Sequence, residues 1–231
     1  MLNNKRILAV IPARGGSKGL PRKNIRLFCG KPLILWTILQ ARESKYIDWI
    51  VVSTDDREIV EIAKDYADEV INRPAGLAKD TTSMIRVVRH AVKEISRAHE
   101  LHYETFVLLQ PTSPLRTSHD IDCSIESFFH NDSESLVSGF HDTIHWSFSQ
   151  KRKFLVPVFG WELIKQRRQK LPSVFKPNGA MYIMNIECFL KRNSLYTEKT
   201  IAYIMPKNRS IDIDNEDDFR FAEYLMNEQF K

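Results

Sequence analysis

Ile7-Leu8-Ala9-Val10-Ile11-Pro12-Ala13-Arg14-Gly15-Gly16-Ser17-Lys18-Gly19-Leu20-Pro21-Arg22-Lys23-Asn24 decides how the rest of the chain is read. Five consecutive apolar residues, stopped by Pro12, predict a strand buried on both faces, as in a parallel sheet. The loop behind it concentrates glycine and positive charge. In an open α/β sheet ligands sit beyond the carboxyl ends of the strands, where this loop begins. Its glycines let the backbone approach a phosphate closely, and successive N–H groups can form an anion-binding nest. Arg14, Lys18 and Lys23 would add charge-assisted hydrogen bonds to a polyphosphate. The spacing is neither GxxxxGK[ST] nor GxGxxG, which argues against an ordinary ATPase loop and against a dinucleotide site. A solvated basic turn is the weaker alternative.

Charge distribution supports an anionic ligand. Residues 1–42 hold nine Lys or Arg and no acid, so the formal net charge of +5 comes entirely from this region. A nucleic-acid surface would spread its charge along a face or tail and would interleave aromatic residues, which the loop lacks. At 231 residues with 43% hydrophobic content, the chain suits one large α/β domain or one domain with a smaller insertion. No apolar run approaches the ~18 residues of a membrane helix. The first apolar run is followed by Pro12 and Arg14 rather than by a small-residue cleavage site. The expectation is a soluble, cytoplasmic protein with no membrane or nucleic-acid partner. Three dispersed cysteines (Cys29, Cys123, Cys188) and the absence of HxxxH or HxH pairs indicate neither disulfides nor a zinc site.

Outward from the first strand, buried-strand runs alternate with helical periodicity. Helices are predicted over Leu33–Ala41, over a segment carrying Ile59, Ile62, Ala63 and Tyr66, from about Thr82, and over Ile121–Phe129. Strands are predicted at Ile50–Ser53, Phe106–Leu109, Ala180–Met184, Thr200–Met205 and Ile211–Asp214, with a final helix from about Asn215. This is a mostly parallel sheet with helices on both faces. The rhythm breaks over 140–177, where Trp146–Phe148 and Phe154–Phe159 could form a hairpin. Lys151 to Lys176 holds eight Lys or Arg against the single acid Glu162. The organisation read here is a main domain of 1–139 and 178–231 interrupted by an insert at 140–177.

Two further stretches could carry chemistry. Gln110-Pro111-Thr112-Ser113-Pro114-Leu115-Arg116 follows a buried strand, with Gln110 offering an amide donor and acceptor at its end; a stiff structural connection is equally open. In Ile211-Asp212-Ile213-Asp214, strand alternation would send both carboxylates to one face, a pattern suited to Mg²⁺. Alternatively Asp214 caps the following helix and Asp212 is solvated. Spacing alone leaves these even; the polyphosphate loop tips the balance toward metal. Arg73-Pro74 with Asp80 and Thr82 reads first as a bent loop with Thr82 as a helix N-cap.

Taken together, IPARGGSKGLPRKN, RPxxLAxD, QPTSPLR, RRQxLPxxFxPNGAxY and SIDIDxxxDF resemble, in that order and over nearly the whole chain, the CMP-N-acetylneuraminic acid synthetases, or acylneuraminate cytidylyltransferases. The resemblance implies a Rossmann-like nucleotidyltransferase fold and a homodimer formed through the 140–177 insert. It implies transfer of CMP from CTP to a nine-carbon α-keto acid sugar, N-acetylneuraminic acid first, with Mg²⁺ (or Mn²⁺) as cofactor. Residue by residue, Arg14, Gly15, Ser17, Lys18, Lys23 and Asn24 resemble the CTP loop, and Arg73 and Thr82 the nucleoside contacts. Gln110 and Tyr182 resemble the sugar site, and Arg168 the functional arginine of the insert. Asp212 and Asp214 resemble the metal ligands; with Lys23 and Arg168 they make up the expected catalytic set. Met84 stands where a small hydroxyl residue is expected near the base, and Phe175 and Lys176 where Tyr and Arg are common. The rival substrates are legionaminic and pseudaminic acid; the rival class is a non-catalytic nucleotide-binding module on the same fold.

Overall fold

Strand β1 (Ile7–Pro12) is buried along its whole length, as five apolar residues without a polar break require. The computed structural model describes residues 5–99, 102–144 and 146–229. After β1 come the two-residue strands β2 (Leu27–Phe28) and β3 (Lys31–Pro32), then helix α1 (Leu33–Arg42), β4 (Trp49–Thr54), α2 (Arg57–Ala63) and β5 (Glu69–Asn72). Helix α3 (Met84–Ala98), β6 (Thr105–Leu109), α4 (Ser118–His130) and β7 (Ser135–Thr143) follow. The chain continues through β8 (Phe148–Lys151), β9 (Phe154–Pro157), α5 (Trp161–Ile164), β10 (Ser173–Asn185), α6 (Ile186–Arg192), β11 (Thr200–Ile204) and α7 (Glu216–Gln229).

Seven strands form one sheet in the order β11-β7-β10-β6-β1-β4-β5. β10 alone runs against its neighbours β6 and β7; the other pairings are parallel. The period of two along β1 divides the core. Ile7, Ala9 and Ile11 face α1, α2 and α4 through Ile34, Ile38, Ile59, Ile121 and Ile125. Leu8 and Val10 face α3 and α6 through Val88, Val92, Ile95 and Phe189. The predicted α/β architecture, helices on both faces of a mostly parallel sheet, is the one observed. A third apolar cluster seats α7, with Phe219 and Met226, on Phe28, Leu33 and Ile213. Among the described residues no helix is long and apolar enough to cross a membrane.

Several local expectations are corrected. Ile211–Asp214 is not a strand; it is an extended segment pinned by one ladder-like bond, Ile213 N–H to Thr112 O at 2.8 Å. Ala180–Met184 is only the end of β10, which begins at Ser173 and is antiparallel. The Pro177-Asn178-Gly179 stretch that reads as a turn is a register shift inside that strand, a bulge of the kind that re-aims side chains beside active sites. Thr82 is not the cap of α3: Ser83 occupies that position, without a side-chain cap bond. Residues 140–143 and 173–176 continue the β7–β10 pairing outward. Beyond them the chain forms the expected hairpin, but its first strand is Phe148–Lys151 rather than Trp146–Phe148, and its second ends at Pro157.

Candidate active site

The carboxyl ends of β1 and β6 with the loops behind them, the β5–α3 connection, the start of α3 and the 212–214 segment enclose a cleft of about 250 Å³. Of the residues singled out in the sequence, Arg14, Ser17, Lys23, Asn24, Arg73, Thr82, Gln110, Asp212 and Asp214 line it, and so does Met84.

Polar contacts from within and outside fix the loop behind β1. Asn24 donates to Arg14 O at 2.9 Å, and Gly15 N–H donates to Asp55 at 3.2 Å. Gly19 passes so close to Asp214 that a Cβ there would strike the Asp214 main-chain carbonyl; no other residue permits this approach. Lys23, nearly buried, donates its ammonium to Ile213 O and lies 3.5 Å from the Asp214 carboxylate. The loop after β1 and the acidic segment near the chain's other end are therefore stitched into one unit.

Arg73, only 5% exposed, is a buried cation whose guanidinium donates to Ser53 Oγ at 3.2 Å and Ser53 O at 2.6 Å. Burial lowers its pKa to about 10, against the opposing pull of Asp55. A cation held on neutral oxygens keeps its full charge available to an anion entering the cleft. Lys18 projects into solvent toward Asp80, 3.1 Å away.

On the opposite wall, Asp212 retains solvent contact, yet the surrounding protein displaces enough of its hydration to push its carboxyl above the usual range. The Thr112 hydroxyl and Lys23 oppose that shift, and the Asp214 charge adds to it. Asp214 is not the helix cap: Asn215 accepts from the N–H groups of Asp217 and Asp218 at 2.9 and 3.0 Å. Asp218 in turn accepts from Asp214 N–H and Asn215 N–H. The Asp214 carboxylate is thus left facing the cleft.

A family model described as cytidylyltransferase matches residues 8–229. The chain belongs to the cytidylyltransferase family. It is 34% identical to a pseudaminic acid cytidylyltransferase from Campylobacter jejuni, covering 94% of this chain and 95% of that one. It is 35% identical to a CMP-N,N'-diacetyllegionaminic acid synthase from Legionella pneumophila over 96% of each chain. An N-acylneuraminate cytidylyltransferase from Streptococcus agalactiae is 36% identical over 92% of this chain, which spans about half (51%) of that protein. Among solved structures, a CMP:2-keto-3-deoxy-manno-octonic acid synthetase complexed with CTP superposes with a TM-score of 0.69 at 14% identity, covering 97% of this chain and 100% of that one; this shows the fold.

In this cytidylyltransferase the remaining predicted residues sit at different distances from the cleft. Gln110 and Asp212 flank the β10 bulge: a Cβ on Gly179, whose φ is +73°, would lie 3.4 Å from the Gln110 amide nitrogen and 3.3 Å from Asp212 Oδ2. Asn178 fixes that bulge, accepting from Ser138 Oγ at 2.7 Å and donating to Ser210 Oγ at 2.9 Å. Tyr182 does not line the cleft; its ring is edge-on to Tyr196 at 6.1 Å. Burial, then Tyr196, raises its phenol pKa. Gly15 and Lys18 do not line the cleft. Arg168 opens a short 3-10 turn, Arg168–Lys170; its side chain lies outside the described residues.

Sequence reasoning passes over Lys79 and Thr112, which line the cleft, and the pairing of Asp80 with the loop cations. Thr112 lies within a recognised motif, but nothing local marks it as the partner of Asp212. Arg116 ends the same motif. It is fully buried, donating to Ala180 O, Thr37 Oγ1 and Gln40 Oε1 at 2.6–3.0 Å. Burial lowers its pKa to about 9, with Asp120 pulling the other way. It staples the loop after β6 to β10 and α1, so the stiff structural reading of that motif holds at its end, while Gln110 at its start lines the cleft.

Proposed function

We propose that this cytidylyltransferase transfers CMP from CTP to the anomeric hydroxyl of a nine-carbon α-keto acid sugar. The observation that carries the proposal is Lys23: one ammonium joins the glycine-rich cationic loop to the Asp212–Asp214 segment across a single cleft. In the reaction the anomeric oxygen forms a bond to the α-phosphorus while the bond from that phosphorus to the bridging β-phosphate oxygen breaks. Pyrophosphate leaves, and the hydroxyl proton passes to solvent. Arg14, Lys18 and Lys23 offset charge on the triphosphate oxygens. Arg73 and Thr82 serve the nucleoside side, with Met84 and Val87 giving an apolar wall for the base. Gln110 orients the sugar, and Tyr182 supports its pocket.

The donor set suits Mg²⁺: the neighbouring Asp214 charge adds to the cost of ionising Asp212, which a hard cation shared with phosphate oxygens relieves. Asp212 and Asp214 would hold it. When bound, the ion supplies charge neutralisation and eases loss of the sugar hydroxyl proton. No group of three or more His, Cys, Asp or Glu capable of holding a metal occurs among the described residues, so the remaining ligands would be substrate oxygens and water.

The 140–177 insert is proposed as the dimerisation element. Phe154, Leu155 and Trp161 are 59–64% exposed in the single chain, more apolar surface than a small basic excursion ordinarily leaves in water. A two-fold partner would cover it and could bring Arg168 to the neighbouring cleft.

Sialic, pseudaminic and legionaminic acid relatives stand at nearly equal identity, so the deciding assay is a panel of these sugars. It would use CTP and Mg²⁺, with pyrophosphate release as readout. One sugar should be used far better than the others, and CTP far better than ATP or GTP. Equal release with CTP, ATP and GTP, or none with any sugar, would overturn the proposal.

A further inference from the structure

Asp80 occupies a position that the reaction outlined above leaves without a role. Its carboxylate lies 2.5 Å from Arg14 Nη1 and 3.1 Å from Lys18 Nζ, on the connection between β5 and α3, and it lines the same cleft. Hydrogen bonds from Lys18 and then Arg14 hold its carboxyl below the usual range. The cations around the cleft therefore fall into two groups. Arg73 and Lys23 donate to main-chain carbonyls, Lys23 also facing Asp214 at 3.5 Å, and neither is engaged by Asp80. Arg14 and Lys18 direct their donors at Asp80, and each donor so engaged is withdrawn from a phosphate.

We propose that Asp80 is a resident counter-anion that competes with the triphosphate and with pyrophosphate for Arg14 and Lys18, setting how tightly CTP is held and how readily pyrophosphate leaves. The inference rests on the cleft taking a nucleoside triphosphate. A polyphosphate carries several charges against one on Asp80, so it wins the two cations on entry. While it is bound, Asp80 faces like charge across a short distance, and that repulsion weakens the complex. When pyrophosphate departs, Asp80 reclaims both cations and takes the place of the phosphate oxygens as their acceptor. Asp80 acts through Arg14 and Lys18 and is a positioning residue; it touches no reacting atom.

The test is direct binding of inorganic pyrophosphate by calorimetry, without CTP or sugar, to wild type, Asp80→Asn and Asp80→Glu at low and high salt. Asp80→Asn keeps the shape and removes the charge, and should bind pyrophosphate about three- to tenfold more tightly, the scale of one or two exposed ion pairs. Asp80→Glu should return toward wild type, the difference should shrink at high salt, and KM for CTP should fall in Asp80→Asn. A folding defect weakens binding, so it cannot imitate this gain. Equal or weaker binding by Asp80→Asn would overturn the inference and make Asp80 a preorganiser of Arg14. Pyrophosphate binding by none of the three proteins would instead remove the triphosphate cradle itself, and the inference with it.

Discussion

Lys23 and Asp214 lie 3.5 Å apart across the cleft although 190 residues separate Lys23 from its hydrogen-bond acceptor, Ile213 O. Each group limits what the other can do. The ammonium keeps negative charge near Asp214 tolerable, and the segment around Asp214 holds the ammonium where a triphosphate would meet it.

Lys23→Ala should therefore cost roughly 2–4 kcal/mol of transition-state stabilisation, the range for one preorganised electrostatic donor. Steady-state kcat/KM for CTP measures it. Part of the loss should appear as a higher KM, because the loop also loses its tie to Ile213.

Asp214→Asn separates two roles cleanly, since Asn215 is the residue whose side chain accepts from the first turn of α7. Melting temperature should barely move. Activity should fall by roughly 10²-fold or more, the effect of losing one well-placed charge, and added Mg²⁺ should recover part of it. An active, Mg²⁺-insensitive variant would end the metal-ligand role. Asp212→Asn should behave alike if both carboxylates share the ion.

Acid stability should report on Asp120. This carboxylate is buried; desolvation pushes its pKa up, but hydrogen bonds from Arg209 and Thr117 outweigh that and leave it lowered. A lowered folded pKa means stability fully present above the unfolded value of about 3.9 and lost as pH falls through the folded value. Wild type should lose thermal stability below about pH 4, and Asp120→Asn should show a flatter profile there. At neutral pH that variant should lose roughly 2–4 kcal/mol, because Arg209 keeps only partial solvent contact when its partner's charge is removed.

Mixing tests the insert. Arg168→Ala and Asp214→Ala should each be inactive alone, and mixed dimers should recover part of the activity if the arginine acts across the two-fold. Sedimentation at micromolar concentration should give a dimer; a monomer would remove the basis for complementation.

What is legible in the sequence is whatever burial or local chemistry determines. β1 can be read because five apolar residues in a row have few other destinations, and the period along α3 can be read because Val88, Val92 and Ile95 are buried as spaced. β10 reads wrongly at Pro177-Asn178-Gly179, since a bulge and a turn use the same residues and only the pairing with β7 distinguishes them. The Asp212–Asp214 pair stands out in the sequence for a reason that the fold supports only in part. Its alternation survives without a strand because Ile213 is anchored to Thr112 and packed against Leu20 and Phe28. Asp80 is visible within RPxxLAxD, but its partner Arg14 is 66 residues away, and no local pattern encodes a contact at that separation.

The close passage of Gly19 over the Asp214 carbonyl also has a bearing on synthesis. Chains emerge amino-terminal end first, at about 5–20 residues per second, so β1 and its loop are made long before residues 210–214 exist. Until that segment arrives, Lys23 has no carbonyl to hold and the cleft lacks a wall. A nascent or prematurely terminated chain could bury β1 and still be unable to trap a nucleotide. Competence to bind is thus a late event in the life of each molecule, which would spare the cell a half-made protein that sequesters CTP without using it.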